Sequence, residues 1–319
     1  SPDFTWIKKR NGTTDHQLVN SVVGYPNGTL LSNHTDAEYT AAARVDSADA
    51  DGFTVSSPGQ VNASSDTYVA WNWLAGTAFS NSAGANGASI ASSGQVNTKA
   101  GFSIVGFEGS GSNATIAHGL SAAPEMIILK NRENASGIWL VYHAGIASDA
   151  ETDYMHLEST NAAADDNSAW NDTAPTSSVF SVGTSVASNQ SGKDHIAYCF
   201  HSVEGYLKVG SYVGNNSSDG PFVYTGFRPA WVMVKASSTG GTHYDWAIYD
   251  SVRSPTNAIG AVLEANQSQA EVTGTGRGLP IDFVSNGFKL RSSYAESNAA
   301  VSYIYLAFAE QPFKFANAR

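Results

Sequence analysis

The sequence contains a single cysteine, Cys199, so no disulfide can form within the chain and its stability has to come from packing. Charge is scarce too. Asp, Glu, Lys and Arg make up 14% of the 319 residues, against about 25% in an ordinary soluble domain. The balance is acidic, a net −11 spread thinly along the chain, which repels phosphate backbones and argues against a nucleic-acid partner. No apolar run approaches the ~20 residues of a membrane-spanning helix, so membrane insertion is not expected. Long helix-spaced runs of Ala, Leu, Glu and Lys are missing as well, which leaves little basis for a helical fold.

Hydrophobic residues reach 42% of the chain, enough for substantial cores. Polar surface then has to come from Ser, Thr, Asn and Gly, a composition that suits strands and turns. Self-comparison shows one pattern three times. Pro2-Asp3-Phe4-Thr5-Trp6-Ile7-Lys8 is paralleled by Pro124-Glu125-Met126-Ile127-Ile128-Leu129-Lys130 and by Pro229-Ala230-Trp231-Val232-Met233-Val234-Lys235. Leu18-Val19-Asn20, Val141-Tyr142-His143 and Ile248-Tyr249-Asp250 follow. Then come Leu30, Met155 and Leu263, and after them Phe53, Phe180 and Phe288. Each copy closes on an apolar strand: Tyr68–Trp73, Ile196–Phe200 and Ile304–Phe308.

Short apolar runs separated by Gly, Asn, Asp or Ser predict an all-β chain of three tandem diverged β-sandwich (jelly-roll-like) modules. The expected boundaries are 1–79 for module 1, 80–100 for a Ser/Gly/Ala-rich linker, 101–203 for module 2 and 204–319 for module 3. In the closing strand Val69, Trp71 and Trp73 share one large apolar face, whereas Ala70 and Asn72 form a small one. Burying such a Trp contributes about 1.5–3 kcal/mol. Lys8, Lys130 and Lys235 are expected at equivalent strand ends.

An apolar lead-in precedes the second and third copies, Gly101–Gly106 and Gly205–Gly210. The first copy has none, so its edge is expected to be unpaired and to invite a strand from an upstream segment, a neighbouring chain or another virion protein. The rival frame assigns each lead-in to the preceding module and moves the boundaries to Pro124 and Pro229.

Several stretches resemble a repeat of tail-fibre-like and other structural proteins of marine tailed bacteriophages, those of cyanobacteria and other ocean bacteria. They are Pro2–Lys8, Tyr68–Trp73, Ala197–Tyr206, Asp219–Val232 and the ending Ala307–Phe313. The resemblance covers nearly the whole chain. It implies a virion location, a host-attachment or assembly role, other virion proteins as partners, a homo-oligomer, and no catalytic residues. A host cell-surface glycan or receptor is a further expected partner. The alternatives are a carbohydrate-binding module array and, behind it, a polysaccharide-degrading enzyme.

Chemistry-bearing residues are few. Cys199 reads as a buried thiol. His195 and His201 lack partners at metal-ligand spacing, so neither a metal nor any other cofactor is expected. Asp46–Gly52 has the look of a calcium loop without the closing Glu. Asp149, Glu151 and Asp153, like Asp165 and Asp166, form small acidic groups. The polar stretch Tyr249–Arg253 keeps only its serine in the first copy, which weakens a catalytic reading, and no enzyme is expected. Aromatics assigned to loops, Tyr25, Tyr39, Tyr154, Trp170, Tyr244 and Tyr294, are the candidates for glycan contact.

Overall fold

The computed structural model describes residues 1–312 apart from 42, 58, 136 and 274–279; Phe313 of the phage-like ending lies outside them. The first copy contains β1 (Phe4–Lys9), β2 (Gln17–Asn20), β3 (Val45–Asp49), β4 (Gly52–Val55), the single turn α1 (Gly59–Asn62) and β5 (Tyr68–Trp73). A hairpin follows, β6 (Thr77–Asn81) and β7 (Ser92–Asn97). The second copy opens with β8 (Phe102–Glu108), β9 (Ala114–Ala117), β10 (Met126–Asn131), β11 (Trp139–His143) and β12 (Asp153–His156). It continues through β13 (Ala164–Asp165), α2 (Asn167–Trp170), β14 (Val179–Val182), α3 (Val186–Asn189) and β15 (Asp194–Phe200). The third opens with β16 (Leu207–Val213), β17 (Phe222–Tyr224), β18 (Pro229–Ala236), β19 (Ala247–Asp250) and β20 (Val262–Glu264). It ends with β21 (Ile281–Val284), β22 (Gly287–Leu290), α4 (Ala295–Asn298) and β23 (Ser302–Ala309). With helix confined to single turns among the described residues, the chain is all-β.

One register recurs in the main sheets. Phe4 faces Trp73, Met126 faces Phe200, and Trp231 faces Phe308. Lys8, Lys130 and Lys235 accordingly face Val69, Ile196 and Ile304, each lysine one residue before its strand ends. The lead-in strands lie outside the closing strands, β8 on β15 and β16 on β23, all antiparallel. Residues 102–106 therefore pair with the second copy's closing strand, not with β5.

The stretch 80–100, expected as a linker, is a correction. Much of it forms the β6–β7 hairpin, which extends the second copy's sheet to eight strands through β7 on β8. One of its small residues is required by close approach. A Cβ at Gly94 would sit 1.9 Å from the Ile104 carbonyl oxygen and 3.0 Å from the Phe79 ring.

Alternation along the strands gives each main sheet two apolar faces. One face packs behind against a small sheet of its own copy. Ile7 and Val19 meet Val45, Phe53 and Val55 in the first copy, and Val232 and Tyr249 meet Phe283 and Phe288 in the third. The other faces converge from all three copies on a shared core. There Phe4 lies 4.4 Å from Tyr198 between ring centroids, Trp73 lies 5.8 Å from Trp231, and Phe200 lies 6.2 Å from Phe308.

The joints between copies repeat as the registers do. The Trp139 indole N–H donates to Leu31 O at 2.9 Å, and the Trp246 indole donates to His156 O at 2.8 Å. His16 occupies the matching place in the first copy, its Nε2 3.0 Å from Glu264 O. Backbone bonds follow the same cycle: Glu38 N to Arg132 O, Ala163 N to Ser237 O, and Glu271 N to Arg10 O. The last contact of each set joins the third copy to the first, so the three sheets close into a ring.

Candidate functional site

The glycan-contact candidates are dispersed around this ring. Trp170 is a correction: it is buried and packs edge-on against Tyr142, because α2 turns it into the second copy's core. Tyr25 packs on the small first-copy cluster around Ile7. Tyr39 is exposed and carries the Arg44 guanidinium 4.6 Å above its ring. Tyr154 leans on the shared core beside His156, Tyr294 packs on the third-copy core beside His243, and Tyr244 lies partly exposed in a loop. Each of the five has its own local neighbours, and they belong to different copies.

The chemistry-bearing groups singled out from the sequence have structural partners. Burial pushes the Cys199 thiol up to about 12, which keeps it un-ionised and unreactive. His195 is buried between Lys193 O and Gln190 N, and burial pushes it down to about 4. His201 is buried as well, its Nδ1 3.0 Å from Ser202 O. The Asp46–Gly52 segment is a hairpin turn whose carboxylates accept from nearby hydroxyls: Asp49 from Ser47 and Thr54, and Asp46 from Ser56. Asp166 caps α2 by accepting from Ser168 N at 2.8 Å. Asp153 is held above its ordinary range by burial and by its neighbours Asp149 and Asp165.

The polar stretch Tyr249–Arg253 lies at the joint between the third and first copies. Asp250 accepts from Arg253 at 2.5 Å and from the Trp71 indole at 3.0 Å. Arg253 also reaches Glu271 at 2.9 Å, and Arg10 clamps the same carboxylate with two bonds. Burial would raise Glu271, but the two guanidiniums outweigh it and hold that carboxyl below its usual range. Two carboxylates against two guanidiniums balance in charge, so the network ties the ring shut rather than offering a free acid or base.

One grouping escaped the sequence reading, and a second was foreseen only as matched strand ends. Asp245, Glu264 and Glu296 are buried with one oxygen of each within 4.8 Å of the others, a donor set able to hold a cation. They come from three distant segments, and no spacing rule joins them. Asp245 already accepts from Asn266 at 2.6 Å and from Gln267 at 2.8 Å. The second grouping is the three matched lysines, all buried. Lys130 donates to Thr35 O and Gly137 O, and Lys235 donates to Asn161 O and Ala236 O. Lys130 and Lys235 thus each stitch their copy to a loop of the preceding one, whereas Lys8 donates to the neighbouring Lys9 O at 2.8 Å. Burial pushes Lys8 and Lys130 down to about 8 and Lys235 down to about 7.

Residues 1–312 match a family described as Domain of unknown function (DUF7483). The chain belongs to that family. No curated protein and no solved structure matches it. No helix among the described residues is long and apolar enough to cross a membrane.

Proposed function

We propose that the chain is a structural component of a bacteriophage particle, part of a tail fibre, spike or other appendage, that works by docking rather than by catalysis. The observation behind this reading is the ring itself: three sheets that share one register meet on one aromatic seam and close through the Asp250–Arg253–Glu271–Arg10 joint. A body of this kind, one register carrying three different loop sets, suits an oligomeric neighbour. The virion location rests on the phage-like motifs. Antibodies against the chain should label purified particles of the virus that encodes it, and a failure to find the protein in such particles overturns the reading.

A second reading, carbohydrate binding at a host surface, draws on one observation. An open groove lined by Ser80, Asn81, Ser92, Ser93, Arg132 and Asp194 lies along the hairpin side of the second copy's sheet, and offers hydroxyl, amide and charged groups to a sugar. A glycan array tests it. Binding that Arg132→Ala and Asp194→Ala abolish together supports it, and a blank array removes it.

A further inference from the structure

The connection from β5 to β8 carries the β6–β7 hairpin, whereas β15 runs into β16 through the short turn 201–206. In the second copy the hairpin closes one side of the sandwich. β7 pairs along β8 and sets Val96 opposite Ser103. Ser92 Oγ donates to Ala117 O at 2.8 Å, and the Phe79 ring covers Gly119, 3.2 Å from where a Cβ would stand.

The third copy has no such cover among the described residues. Its matching positions are Lys208, Tyr224 and Gly226. Lys208 pairs with Ala307 as Ser103 does with Cys199, and Tyr224 pairs with Gly287 as Ala117 does with Val179. Gly226 and Gly119 both take positive φ, 87° and 74°. Left uncovered, these three positions line an open groove together with Ser202, Glu204 and Thr225. We propose that this groove binds a carboxylated sugar, with the sugar ring on Gly226 beside Tyr224 and the carboxylate on Lys208.

Three observations select that occupant. First, the slot takes a ring. Its counterpart over Gly119 is filled by the six-membered ring of Phe79, while at Gly226 the nearest atom to a Cβ position is Tyr224 Oη, 3.6 Å away.

Second, the slot holds an unmatched charge. Lys208 is half-buried, and its ammonium has no hydrogen-bond or ion-pair partner among the described residues. The other described basic side chain in that state is Lys99, which is exposed. A partly desolvated ammonium favours an anion, and a carboxylate gives it a charge-assisted hydrogen bond. Glu204 lines the same groove but is exposed, so water screens its repulsion of the ligand.

Third, Tyr224 is 64% exposed, and its hydroxyl has no partner among the described residues. A tyrosine so placed offers an apolar face to the C–H face of a sugar and a hydroxyl to its oxygens. A plain aromatic acid would leave that hydroxyl unmet. Serine and alanine stand at the matching places of the second copy, so the site belongs to the third copy. It shares no lining residue with the groove beside Arg132, and it does not depend on the carbohydrate reading proposed there.

The test is isothermal titration of the full chain with trimers of galacturonate, glucuronate and mannuronate. At least one trimer should bind, and its methyl ester should bind at least about tenfold more weakly. Lys208→Gln should weaken the acid trimer by a similar factor, as should Tyr224→Ala. An unchanged thermal midpoint shows that each variant is folded; if Tyr224→Ala is not, Lys208→Gln and the ester still decide. No binding at millimolar trimer overturns the proposal, as does equal binding of acid and ester or a tighter fit for phenylacetate. Binding undiminished by Lys208→Gln also overturns it, and leaves the reading of the Arg132 groove standing.

Discussion

Asn72, Cys199 and Ala307 hold one position in three copies of the same strand, and only Asn72 meets solvent. The strands share a register and a large apolar inner face. They differ in what lies along their outer edge. Where a lead-in strand pairs, the small outer residue is sealed and can be a thiol or a methyl. Where none pairs, a polar amide stands in its place. Edge state thus shows in side-chain chemistry as well as in hydrogen bonding.

That comparison can be broken or sharpened by substitution. The largest effect is expected from Trp71→Asp, which puts an unpaired carboxylate into the seam beside Asp250 and should cost more than about 4 kcal/mol. Loss of a cooperative thermal transition would show it, and a near-normal midpoint would mean that the open copy is not part of the shared core. Next is Arg253→Ala, which strands Asp250 and part of the Glu271 clamp in a buried joint and should cost about 3–5 kcal/mol in denaturant titration. The exposed pair Lys193–Glu133 serves as its control and should yield under about 1 kcal/mol.

A matched pair tests open against closed directly. Ile196→Ala should cost about 2–4 kcal/mol, and Val69→Ala, at the same register position of the open copy, under about 1 kcal/mol. Equal costs would mean that β5 is as well covered as β15.

The smallest effect is a slope with pH. Lys8, Lys130 and Lys235 have folded values depressed to about 8, 8 and 7 from an ordinary 10.5. Between those values the unfolded chain binds more protons, so their contribution to stability grows as pH rises from about 7 toward 10. A Lys235→Met chain should show a flatter rise in midpoint over that window. On the acid side His16 is pushed down to about 3, and His118, His143 and His195 to about 4, in each case chiefly by burial. Stability should fall as pH drops from about 6.5 toward 4, where the unfolded chain protonates first.

Much of the strand content was legible from short-range pattern. The Pro-to-Lys segment, the Phe53-type segment and the closing strand are strands in every copy, because period-two alternation is a local property. The hairpin at 77–97 was not legible. Ser92, Gly94 and Val96 alternate too weakly in hydrophobicity to betray a strand, and their pairing with Phe102–Glu108 is settled by contact. Trp170 was read as a loop aromatic because a one-turn helix leaves almost no periodic signal. Asp245, Glu264 and Glu296 could not be grouped in advance, since their proximity depends on where three separate segments end up.

The sequence by itself determined the all-β character, the internal repeat and the register landmarks, since each depends on residues close together along the chain. Only the tertiary structure decided that the copies close into a ring. That closure depends on Trp246 reaching His156, His16 reaching Glu264, and Arg10 reaching Glu271, 261 positions away. Contacts at such separation are selected by the packing of whole sheets against one another, and no local pattern encodes them.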